Sequence, residues 1–198
     1  MKTLSQSIGG EESRWRLKKE ALESNLRVAM PGIITAFDPA TCTATVQPAI
    51  REALTDQTGV RVNLALPELL DVPIIMPHGG KFSITLPVMP GDECLIIFAD
   101  MCIDAWWQSG GVQNQVELRR HDLSDAFAIL GPWSQATKPS YAADRLTISN
   151  GRGIDFIIKD DVVQVYGPVI FKGKVEFMDK TYHHGEQIPV EDPEEVLP

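Results

Sequence analysis

Two histidines stand side by side near the C-terminus, in Asp179-Lys180-Thr181-Tyr182-His183-His184-Gly185. They are the only histidine cluster in a chain with 4 histidines, and imidazole is a common metal ligand. Successive residues of a strand face opposite sides, so only one of the pair can point toward a shared centre. A second grouping joins His121 to Asp122 and Asp125, just after Arg119 and Arg120. Such a set could do acid–base or metal chemistry. Asp and Ser in a polar loop, however, ordinarily hydrogen-bond their own backbone, and Ser124 between the two aspartates fits such a turn. We expect turn chemistry there. Trp106 and Trp107 could stack on sugars or bases. Read as part of a strand, they put Trp106 in the core and Trp107 at a subunit contact.

Other catalytic signals are missing. There is no GxSxG, Walker loop, HExxH or GxGxxG. Gly151-Arg152-Gly153 is too short to cradle a phosphate. Acidic residues are plentiful, but no separate helical domain carries a lysozyme-like carboxylate pair. We expect no catalytic residues and no enzyme. Cys42, Cys94 and Cys102 have no CxxC spacing, and an odd count argues against a disulfide framework, which fits synthesis in a reducing cytoplasm. Cys42 and Cys94 lie in apolar strand-like runs, where a thiol behaves as a small hydrophobe.

Net charge sets further bounds. With 27 acidic and 18 basic residues the chain carries −9, which disfavours a nucleic-acid partner. The one dense basic stretch, Arg14 to Lys19, reads as a solvated helix face. Met1 to Gly10 lacks the basic-then-apolar order of a signal peptide, and no apolar run approaches the roughly 18 residues of a membrane span.

The elements that must position these residues come in two textures. Glu11 to Asn25 reads as a helix without Gly or Pro, led by acidic residues, with Trp15, Leu22 and Leu26 on one stripe. From Arg27 the period becomes two. Strands are expected on both sides of the Asp38-Pro39 turn, with Thr41, Thr43 and Thr45 alternating with Cys42, Ala44 and Val46. More are expected at residues 71–76, at 81–87 with Phe82, Ile84 and Leu86 on one face, at 93–99, at 103–109 and at 126–130. About five strands with one long connection through residues 50–70 suit a small Greek-key barrel such as the OB fold. After a polar linker, very short strands follow, separated by Asn150-Gly151, Asp160-Asp161, Gly167-Pro168 and Lys172-Gly173. Their apolar residues alternate: Ile148, Ile154, Phe156, Ile158, Val163, Val165, Val169, Phe171, Val175 and Phe177. One chain cannot bury so thin a stripe, whereas three chains wound about an axis can.

The order of these segments resembles the central-spike, or membrane-puncturing, proteins of contractile phage baseplates and R-type pyocins. The residues that carry it are Val72-Pro73-Ile74, His78-Gly79-Gly80, Thr85-Leu86-Pro87 with Gly91-Asp92-Glu93, Leu95 to Phe98, Ile103-Asp104-Ala105-Trp106, Ser109-Gly110-Gly111, and Arg119 to Ala126. It covers roughly residues 25–180 in element order. The resemblance implies an all-β chain: an OB-fold barrel followed by an intertwined trimeric β-helix, with one short N-terminal helix. We divide it into arm and helix 1–26, barrel 27–133, linker 134–144, needle 145–181, and tip with acidic tail 182–198. It also implies a homotrimer in the virion tail baseplate, partnered by hub and tail tube proteins and a tip-capping protein. The host outer membrane would be met transiently, and nucleic acid not at all. In similar spikes an H-x-H pair holds an iron ion on the threefold axis. Here Tyr182 takes the place of the first histidine, which leaves His184 as the better metal candidate and His183 as the poorer. Three imidazoles would leave such an ion half-coordinated, so exposed or hydrogen-bonded histidines and no cofactor are expected. The rival reading from another class is an OB-fold module that binds oligosaccharide or single-stranded nucleic acid.

Overall fold

Extended, alternating sequence from Arg27 onward produces a barrel, and residues beyond Asp144 produce a separate small sheet. The computed structural model describes residues 11–55, 59–160, 162–173, 181–183 and 186–188. The chain divides into two units, Met1–Lys138 and Pro139–Pro198.

The first described element of the first unit is helix α1 (Glu11–Asn25), with the expected bounds. Its described side chains, residues 12–19, are all exposed, and Lys18 sits over the Trp15 ring at 5.7 Å. Leu22 of the expected stripe lies outside the described side chains.

Five strands then close a barrel: β1 (Ala29–Asp38), β2 (Thr43–Pro48), β5 (Leu69–Ile75), β8 (Glu93–Phe98) and β9 (Ala126–Leu130). Their order around the barrel is β1-β2-β5-β9-β8, and β8 returns to β1. Only β5 and β9 pair in parallel; the other four pairs are antiparallel. Alternation decides what points inward. Ala44 and Val46 of β2, and Cys94, Ile96 and Phe98 of β8, fill the interior with Ile34, Val72, Ala126 and Ala128. Gly32 makes this packing fit: a Cβ there would lie 2.6 Å from Ile96 Cδ1 and 2.7 Å from Val46 Cγ1. The register shifts twice along the wall, between Ile34 and Ala36 where β1 meets β2 and again where β2 meets β5, beside which Asp71 takes a left-handed φ of 54°.

Several expectations fail here, each for a physical reason. Residues 81–87 do not join the barrel. Only Phe82–Ser83 (β7) pairs, with His78–Gly79 (β6), and Phe82, Ile84 and Leu86 stay exposed. A closed barrel has no free edge to offer, because β8 is already paired to β1 and β9. Residues 103–109 form a helix, α2 (Asp104–Ser109), not a strand. Its sequence holds no β-branched residue, and Gly110 ends it at φ 64° by donating its N–H to the Trp106 carbonyl at 2.7 Å. Cys42 lies in the β1–β2 turn with φ 56°, exposed, so only Cys94 behaves as a buried hydrophobe. The long 50–70 connection carries a hairpin of its own, β3 (Glu52–Thr55) with β4 (Arg61–Leu64).

In the second unit β10 (Leu146–Ser149), β11 (Asp155–Ile158) and β12 (Val163–Tyr166) form an antiparallel sheet. Asn150 Oδ1 accepts the N–H groups of Arg152 and Ile154 at 2.8 and 3.1 Å, which fixes the first turn. Val169 and Phe171 lie in no strand. A short pair, β13 (Thr181–His183) and β14 (Glu186–Ile188), lies near the end of the chain. Among the described residues two short helices accompany the strands, and an all-β class fits.

Candidate functional site

The 27 residues between β8 and β9 are gathered around one guanidinium, that of Arg119. Asp125 immediately precedes the apolar run of β9 and is 0% exposed. Its carboxylate accepts Arg119 Nε at 3.0 Å, Arg119 Nη2 at 3.1 Å and the Ile103 N–H at 3.0 Å. Arg119 reaches further, giving Nη2 to Asp104 Oδ2 at 2.8 Å and Nη1 to Glu117 Oε2 at 2.7 Å. The Cys102 sulfur lies 3.1 Å from the same Nη2. Hydrogen bonds to Asp125 first and Asp104 second raise the Arg119 pKa further above its already high ordinary value. A buried carboxylate is tolerated only with such partners.

This cluster resembles a metal site in composition. The ligand atoms of Cys102, Asp104 and Asp125 lie within 4.8 Å of one another. Nη2 of Arg119 bonds to all three, so the guanidinium fills the place a cation would take. The arrangement is a clasp: it ties the start of α2 and the loop before β9 to the barrel wall.

The expected turn at Asp122 is present. Asp122 Oδ1 accepts the Ser124 N–H at 2.9 Å and its hydroxyl at 2.7 Å, which lowers the Asp122 pKa. Asp125 departs from that expectation, being buried in an ion pair. His121 meets neither aspartate. Its Nε2 lies 3.2 Å from Asp100, which also takes Arg120. The structure therefore separates the three residues that sequence had grouped. No local pattern would have revealed Asp125 as the buried member, because the Ile103 N–H that it accepts lies 22 residues away and Arg119 reaches it across the intervening turn.

Trp106 and Trp107 are half-exposed on α2. Neither fills the barrel core. Trp106 packs edge-on against Phe127, on the outer side of β9, at 5.8 Å and 62°. Among the metal candidates, His183 ends β13, with its side chain outside the described residues, and His184 lies outside them altogether.

The broadest feature of the second unit is a bare apolar sheet face. Register pairs Ile148 with Phe156 and Phe156 with Val165; it pairs Leu146 with Ile158 and Ile158 with Val163. These two rows of three lie on one face, and all six side chains are exposed, from Phe156 at 38% to Ile148 at 63%. The other face holds the row Thr147, Ile157 and Gln164, of which Ile157 is buried. Contiguous exposed apolar rows of this kind mark a surface that something else covers. Among the described residues no helix is long and apolar enough to cross a membrane.

No curated protein matches the chain. A family model does match, over residues 30–131, from the second residue of β1 to the residue after β9. That span is the barrel with its clasp, and the three-stranded sheet lies beyond it. Since it covers just over half of the 198 residues, the chain belongs to the family of the phage protein Gp138 N-terminal domain.

Proposed function

We propose that this protein is a structural, non-enzymatic component of a phage tail baseplate: a homotrimeric spike that forms the tip of a contractile tail tube and pierces the host outer membrane. The barrel, read as an OB fold, would seat against hub and tail tube proteins, and the second unit would be the needle. A separate tip-capping protein belongs to the same reading. No catalytic residue and no cofactor is part of this reading. The phage family of the barrel supports it in outline.

The observation that carries it is the bare face of β10, β11 and β12. Leu146, Ile148, Phe156, Ile158, Val163 and Val165 form a continuous apolar surface that one chain leaves in water. Three copies that turn this face toward a common axis would bury it and pair the open edges of β10 and β12 between chains. A shaft built that way resists buckling, because every layer is tied across chains. Synthesis in the host cytoplasm followed by assembly into the virion suits a chain with 3 free cysteines.

Light scattering on the purified full chain tests the reading directly. The expected mass is three times 21.9 kDa. A folded, monodisperse single chain at micromolar concentration would overturn it.

A further inference from the structure

The junction between the two units begins with a fastening. Glu93 opens β8, next to Ile33 of β1, while Cys94 pairs with Leu130 at the end of β9. The chain leaves β9 through Gly131, at φ 110°, and Pro132. It then folds back. Glu93 Oε2 accepts the Ser134 N–H at 2.6 Å and the Thr137 hydroxyl at 2.6 Å. The Ser134 and Thr137 hydroxyls lie 3.1 Å apart. The Ser134 carbonyl accepts the N–H groups of Thr137 and Lys138 at 3.2 and 3.0 Å. These bonds, Thr137 first and Ser134 next, hold the Glu93 carboxyl below its ordinary range.

We propose that Glu93 is a strap that pins residues 134–138 to the barrel, so that freedom between the two units begins only at Pro139. The segment expected from sequence as linker 134–144 is thereby split. With the strap closed, the free connection to Leu146 is 139–145, about 25 Å at full stretch. With the strap open it starts near Gly131 and about doubles in contour, to roughly 50 Å. A shorter tether confines the second unit to a smaller volume around the barrel and raises its effective concentration there. A charged acceptor suits the task, because hydrogen bonds to a carboxylate are stronger than those between neutral groups. The strap lies wholly within the first unit and holds whether or not the protein is a spike.

Hydrogen exchange on the full chain tests it, read at the amides of Ser134, Thr137 and Lys138. Glu93→Ala should speed their exchange by about tenfold or more, and Thr137→Val, which removes only the hydroxyl, by a smaller factor of about three. Amides of β1, β8 and β9 should be unchanged. If both variants exchange like the parent at residues 134–138, the strap is wrong. If Glu93→Ala also loosens β8, Thr137→Val alone decides: faster exchange with an intact β8 supports the strap, and unchanged exchange overturns it.

Discussion

In the barrel, Ile34, Val46, Cys94 and Ile96 are completely buried by strands of the same chain. In the β10–β12 sheet, residues of the same types in the same alternation, Ile148, Phe156, Ile158 and Val165, stay in contact with water. The difference is closure. Five strands that return on themselves enclose an interior and leave no open edge, whereas three strands in a row have one bare face and two edges. The barrel is complete as a single chain, and the family match stops where it stops. The sheet leaves one face uncovered by the described residues of its own chain.

The sharpest way to break this contrast is to charge the bare face. Ile148 and Phe156 are direct cross-strand partners. Replacing both, Ile148→Asp with Phe156→Asp, should reduce the assembly to single chains while the barrel remains folded. The control Thr147→Asp, on the opposite face, should leave the mass unchanged. Sedimentation of the three proteins reads both. Assembly that survives the double substitution would mean that the face is not the contact.

The barrel should answer to a different injury. Asp125→Ala removes the buried acceptor of Arg119 and of the Ile103 N–H, leaves that N–H unpaired and leaves the guanidinium with only its outer carboxylate partners Asp104 and Glu117. The expected cost is about 3–5 kcal/mol in urea unfolding of the barrel. A loss below about 1 kcal/mol would mean that the clasp holds a loop and not the fold.

The smallest effect is expected at the chain's end. His184→Ala should shift the unfolding midpoint little, and untagged protein should carry metal well below one ion per three chains. Elemental analysis checks this. One iron per three chains, lost in His184→Ala, would show that a threefold metal site exists in spite of the adjacent histidines.

Much of the architecture was legible in the residues themselves. Period-two alternation located β1 and β2, and short apolar runs bounded by turn residues located β5, β8 and β9, because strands that line a barrel are apolar on at least one face. Uninterrupted helix formers set α1 from Glu11 to Asn25, and Asn150-Gly151 marked the turn between β10 and β11. The thin apolar stripe of residues 148–165 was visible as something that one chain cannot bury. Other features needed three dimensions. Phe82, Ile84 and Leu86 alternate as well as any barrel strand, yet they stay outside, because whether an edge is available depends on the closing of other strands. Asp104 to Ser109 is too short for periodicity to separate helix from strand. Asp122 and Asp125 differ by three positions and look alike in sequence. Only the fold brings Ile103, Asp104 and Arg119 to one of them, and so it alone determines which aspartate caps a turn and which is buried as half of an ion pair. Local preference depends on neighbours along the chain, whereas burial and partnership depend on neighbours in space.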